Sequence, residues 1–336
     1  MSKNETPTRR DFIAAMAAGG LAQGLGCAPA GPSASAPAAS SATQRTLKPI
    51  AHATSARERH WVGDGFAVST LFSPRLIDAQ VLSPFILMDH AAPRRFEPTT
   101  TPRGVGEHPH RGFETVTFAY QGEIDHRDSH GGGGTIGAGG VQWMTAASGV
   151  VHEEKHSRRF TEQGGMFEMV QLWVNLPARM KMSSPRYQSL PGDTFPTLAF
   201  GEGSGRLIAG SLQDKTGPAQ TYSPITIFDI DLPAGGEAFF EPPAGHTSLV
   251  LILEGRGTAQ SSRSVESGDL LVMDRNAAGN VQLNASERTR VLVLGGEPLG
   301  EPVVAQGPFV MNTQAEIQQA IRDYRAGHMG TLAPTT

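Results

Sequence analysis

Two short clusters hold the candidate chemistry of this chain: His108-Pro109-His110 and, about forty residues later, His152-Glu153-Glu154. Within each, the i, i+2 spacing places two side chains on one face of a strand, so four ligands can meet at a single ion. Of the eleven histidines, His90, His108, His110, His126, His130, His152 and His156 crowd into residues 90–156, where chance would scatter them along 336 residues. Neutral imidazole suits iron, manganese, copper, nickel, cobalt and zinc, and one carboxylate adds a harder, charged donor. Three histidines and one glutamate therefore describe a mononuclear divalent transition-metal site with coordination positions left open. A structural zinc is normally closed by four protein ligands, often thiolates, and beyond Cys27 the chain has no cysteine.

The carboxylate is open between two residues. Glu154 lies two places after His152, and Glu114 lies four after His110, so each shares its ligand's strand face. Either can be the fourth ligand or a catalytic base for a substrate hydroxyl.

The elements that must hold these residues are strands. From about Arg57 onward, apolar runs of four to eight residues alternate with Gly, Pro, Asp and Asn. Residues 115–120, 139–144 and 169–174 form one set, and 225–228, 248–253, 269–273 and 290–294 a second with the same rhythm of turn glycines (Gly122 and Gly140, Gly255 and Gly268). The expected fold is all-β: two tandem cupin-type jelly-roll barrels with a short C-terminal helix. The spans are 57–190 for the N-terminal metal-binding barrel, 191–221 for a linker, 222–306 for a metal-free C-terminal barrel and 307–336 for the helical tail. Ile317, Ala320, Ile321 and Tyr324 give that tail helical spacing, with Asn312-Thr313 as its cap. In the second barrel His246 has no second histidine near it.

A formal charge of -4 and a pI near 6.3 supply no footprint for nucleic acid or anionic lipid. Residues 1–27 begin with Thr8-Arg9-Arg10-Asp11-Phe12-Ile13 and a weakly apolar stretch, which resembles a twin-arginine export signal and is too short to span a bilayer permanently. Cys27 looks like a lipid-anchor site, although Gly24 stands where leucine is usual, and residues 28–56 read as an Ala/Pro/Ser-rich tether. The expectation is an exported, periplasmic protein, anchored at Cys27 or cleaved beside it, and monomeric because it is internally duplicated.

The lesser features have plainer readings. Gly131 to Gly134 lack a following Lys-Ser/Thr and make a flexible hairpin loop rather than a phosphate loop. His126 and His130 flank Asp128 on the segment leading there and read first as solvated, a supporting role for His126 being the alternative. Trp143 and Met144 suit a barrel core better than substrate stacking, and Arg111 is the one basic residue beside the motif.

The string from His108 to Val116 (HPHRGFETV), with Gln142-Trp143-Met144-Thr145-Ala146, Gly149-Val150-Val151-His152, Gln171-Leu172-Trp173-Val174-Asn175-Leu176-Pro177 and Gly307-Pro308-Phe309-Val310-Met311-Asn312-Thr313, resembles the pirin family over about residues 57–330. The resemblance implies a bicupin whose first barrel binds a metal, usually Fe(II), through His108, His110, His152 and Glu154. Glu114 then becomes a hydrogen-bond acceptor behind a ligand. It further implies quercetin 2,3-dioxygenase activity, with a small aromatic enol and dioxygen as substrates; the transcriptional role of eukaryotic members suits an exported protein poorly.

Overall fold

The computed structural model describes residues 45–55 and 58–333. Arg9, Arg10, Cys27 and most of the expected tether lie outside them. In the first barrel an antiparallel seven-stranded sheet runs in the order Arg186–Leu190, Val141–Thr145, Phe113–Gln121, Gly165–Asn175, Phe85–Phe96, Phe66–Phe72, His60–Val62. A four-stranded sheet, Gly104–His110, Val150–His156, Glu123–Asp128 and Gly133–Gly137, packs on its inner face. The second barrel repeats the seven-and-four plan. Phe66, Phe96, Phe167 and Met169 fill the space between the sheets of the first barrel, and Phe200, Phe228, Phe240 and Leu283 fill the second.

The two large sheets turn their remaining faces on each other, joining Val116, Phe118, Trp143 and Leu172 to Leu249, Leu251, Leu292 and Leu294. Burial on both faces explains why residues 248–253 read as an unbroken apolar run instead of alternating. The alternation still sets direction: along Phe113–Gln121, Thr117 and Ala119 look into the first barrel, whereas Glu114, Val116 and Phe118 look toward the second.

Two expected boundaries need correction. Ile50–Ser55, placed in the tether, is an edge strand of the second barrel, paired antiparallel with Asp269–Met273. Residues 191–221, read as a linker, contribute Thr197–Phe200 and Gly203–Ala209 to the same sheet. Gly203 and Gly205 are there because a Cβ would collide with the neighbouring strand, at 2.2 Å from the Asp229 carbonyl oxygen in the case of Gly205, and not because the segment is a flexible connector.

The C-terminal helix Gln314–Arg325 begins with a capping box between Thr313 and Glu316, worth about 1 kcal/mol. Ile317 and Ala320 pack with Val151, Phe309, Met311 and Met329 on the outer face of the four-stranded sheet. Arg111 belongs to this docking. Its Nη1 donates to Asp323 Oδ2 at 2.7 Å and its Nε to the Ser148 carbonyl at 2.6 Å, so it does not face the barrel interior as a substrate-binding cation.

Candidate metal centre

Gly104–His110 and Val150–His156 are antiparallel neighbours, with His108 opposite His152 and His110 opposite Val150. The two clusters found in the sequence therefore lie side by side on the inner face of the small sheet. Donor atoms of His108, His110 and His152 fall within 4.8 Å of one another, and His108 Nε2 is 2.9 Å from His152 Nε2. Two nitrogens sharing an ion at about 2.1 Å each, at right angles, stand about 3 Å apart.

The opposite edge of each ring is engaged. His108 Nδ1 donates to the Gly106 carbonyl at 2.8 Å and His110 Nδ1 to the Pro308 carbonyl at 3.4 Å, which leaves their Nε2 lone pairs bare. Burial, then the neighbouring imidazoles, holds His110 and His152 well below the ordinary histidine pKa, so both are neutral and able to ligate. His110 and His152 are buried while His108 is only partly covered, with Gly106 and Glu107 beside it exposed. The centre is thus accessible along the His108 edge.

Glu154 points into the same barrel. Its carboxylate clusters with His152 and His126, but is not within 4.8 Å of His108 and His110 together. Oε1 accepts from Gln142 Nε2 and, at 3.1 Å, from Thr117 Oγ1, whereas among the described residues Oε2 meets only Gln171 Nε2 at 3.4 Å. One oxygen is held and the other is lightly tied, an arrangement that suits a ligand or base of adjustable reach.

Glu114 does not join them. Gly112, at φ +87°, breaks the chain between Gly104–His110 and Phe113–Gln121, so the face count from His110 does not carry across. Glu114 turns toward the seam between the barrels, where Thr145 Oγ1 donates to its Oε1 at 2.7 Å. It neither touches His108, His110 or His152 nor faces the side of the strand on which they cluster. Burial raises its pKa from 4.5 to about 7, against the hydrogen bond from Thr145. The folded state therefore holds this proton more tightly than the unfolded chain, and stability drains away as pH rises from about 4.5 to about 7. Glu114→Gln should remove that slope and, at pH 8, raise stability by on the order of 2 kcal/mol in urea unfolding, with no gain at pH 4.

His126, expected on a solvated loop, is buried, and its Nδ1 lies 3.3 Å from His152 Nδ1. His156, the next inward residue after Glu154, belongs elsewhere: Phe66, Phe96, Phe160 and Phe167 surround it, and burial lowers its pKa to about 4.

Residues 67–174 match the family model described as Pirin, and residues 227–330 the one described as Pirin C-terminal cupin domain. The chain belongs to the pirin family. A Pseudomonas aeruginosa protein with the provisional name quercetin 2,3-dioxygenase PA2418 is 50% identical over 272 residues, covering 80% of this chain and 94% of that one. A pirin-like protein of Solanum lycopersicum is 38% identical over 271 residues, covering 80% and 88%. A crystal structure titled quercetin 2,3-dioxygenase from Acinetobacter baumannii superposes with a TM-score of 0.83 at 49% identity, covering 86% of this chain and all (100%) of its own.

In this pirin-family barrel the residues that sequence reasoning missed are supports and walls. Gln142 and Gln171 hold Glu154, and Trp173, half-buried, lies edge-on 5.3 Å from His110. The signal was the alternation of Gln171 and Trp173 with the apolar Val170, Leu172 and Val174, which puts a polar and an aromatic residue on the face turned toward the histidines.

Proposed function

We propose that the chain is a metal-dependent dioxygenase acting on a flavonol such as quercetin or a similar aromatic enol, and that the Arg9-Arg10 signal places it outside the cytoplasm. The convergence of three imidazoles at a centre accessible along His108 carries this reading. The names borne by the relatives of high identity point the same way. His108, His110 and His152 would hold the ion, with Glu154 adding its Oε2 as fourth donor. A divalent ion bound there supplies Lewis acidity, which lowers the pKa of a ring hydroxyl and readies the electron-rich ring for dioxygen. The half-buried indole of Trp173 beside His110 offers a flat apolar face on which an aromatic ring can be oriented. Off the ion, Glu154, steadied through Oε1 by Gln142 and Thr117, would instead be the base that takes the hydroxyl proton on Oε2.

Oxygen uptake with quercetin tests the reading, using protein loaded in turn with iron(II) first, then manganese, copper, nickel, cobalt and zinc. Uptake above that of the free ion, lost in Glu154→Gln, is the expected outcome. Tight metal binding with no uptake in any arm would instead assign the centre to a non-catalytic sensor.

A further inference from the structure

A histidine can ligate through Nε2 only if its proton sits on Nδ1, and each of the three candidate ligands needs something to keep it there. For His108 and His110 a backbone carbonyl suffices, since that oxygen can only accept. Among the described residues no carbonyl meets His152 Nδ1. It meets the Nδ1 of His126 at 3.3 Å, a partner able to donate or to accept, and the choice decides whether His152 Nε2 is bare.

Beyond His126 the choice is made. Its Nε2 is buried, has no ordinary hydrogen bond, and faces Asp128 Oδ2 at 3.5 Å. A carboxylate only accepts, so the His126 proton belongs on Nε2, its Nδ1 keeps a lone pair, and His152 must be the donor between the two rings. We propose that Asp128 and His126 are a positioning pair that presets His152 as its Nδ1–H tautomer and leaves Nε2 bare for the metal ion. The proposal rests on the metal reading above.

The surroundings are built to hold this pair. The His126 ring stacks on Tyr187 at 4.8 Å and 15°. Asp128 Oδ1 accepts the backbone N–H groups of His130 at 2.8 Å and Gly132 at 3.0 Å. Strand pairing sets Asp128 opposite His152 and His126 opposite Glu154. Within the glycine run, read from sequence as a flexible loop, two positions are closely packed: a Cβ on Gly132 would lie 2.2 Å from Asp128 Oδ2, and one on Gly133 2.5 Å from the His126 carbonyl oxygen, whereas Gly131 and Gly134 have open space. Only a bare backbone can fold over the carboxylate this tightly.

Asp128→Asn is the discriminating variant, because it keeps the shape but can present an N–H to His126 Nε2 and so reverse both tautomers. Long-range proton–nitrogen correlation spectra of the metal-free protein should show His152 as Nδ1–H in the wild type and shifted toward Nε2–H in Asp128→Asn. Zinc(II) affinity should fall about ten- to hundred-fold in that variant. His126→Phe, which keeps the stacking but loses the acceptor, should weaken zinc as much, whereas His126→Asn, whose Oδ1 occupies the place of Nδ1, should restore most of it. An unchanged His152 tautomer with wild-type zinc affinity in Asp128→Asn overturns the proposal. If Asp128→Asn does not fold, equal zinc affinity in the His126→Phe and His126→Asn variants overturns it too. Should the wild type bind no zinc while Asp128→Asn still flips the tautomer, the metal reading fails and the positioning pair stands.

Discussion

His152→Ala should abolish tight metal binding, weakening it by more than the ten- to hundred-fold that loss of an outer partner alone costs. His152 is the hub of the centre: Nε2 lies 2.9 Å from His108 Nε2, the ring adjoins His110, and Nδ1 reaches His126. Without it two imidazoles remain, one of them on the accessible edge. Metal that binds only the folded state stabilises it by about 4 kcal/mol at a thousand times Kd, so adding metal should raise the wild-type unfolding temperature and leave that of His152→Ala unmoved. His156→Phe is the control, since His156 stands on the same strand and face but among phenylalanines. It should keep its metal. Titration against a coloured chelator, with calorimetry before and after chelation, reads both. A His152→Ala protein that holds metal as tightly as the wild type would remove the centre from this barrel.

What could be read before the structure was known was local. The spacing in His108-Pro109-His110 and His152-Glu153-Glu154 depends only on the two-residue repeat of a strand, and it brought three histidines together correctly. The same reasoning failed for Glu114 because parity survives only within one strand, and that strand ends at His110, with Gly112 turning the chain before the next one begins. That glycine was visible, but in a chain with 40 glycines its role was not. Long-range partners were out of reach for a different reason: nothing in Ile50–Ser55 names Asp269–Met273 as its neighbour, so a strand of the second barrel passed for tether. The His126 and Asp128 support was hidden likewise, since it exists only once Glu123–Asp128 pairs beside Val150–His156. Membership of the first barrel was legible from the histidine crowding; the job of each histidine depended on which face it took.

The seam between the barrels should prove the most fragile part of the molecule. Glu168, fully buried in the first barrel, accepts from Gln121 Nε2 at 2.9 Å and from Arg290 Nη2 at 2.7 Å, and Arg290 lies on the Thr289–Gly296 strand of the second. Arg290 also donates through Nε to Glu254 at 2.8 Å and covers the Tyr120 ring at 5.4 Å. Burial alone would push the Glu168 pKa up, yet the His90 imidazole 3.8 Å away and the hydrogen bonds from Arg290 and Gln121 outweigh it and bring it below 4.5. Arg290→Ala leaves that buried carboxylate charged and without its cation, at a cost of about 3–5 kcal/mol. For a chain of this size the unfolding temperature should drop by roughly ten degrees. The pH dependence tells this from simple loss of packing. In the wild type the depressed pKa contributes stability above about 4.5 that is lost as pH falls further. Without Arg290 the carboxyl can escape its burial by taking a proton, so the gap between variant and wild type should shrink below pH 5. Joint replacement, Glu168→Met with Arg290→Met, should recover most of the loss, because apolar side chains need no partner there. A deficit that is constant with pH and additive in the double variant would mean that shape, and not the buried charge pair, holds the barrels together.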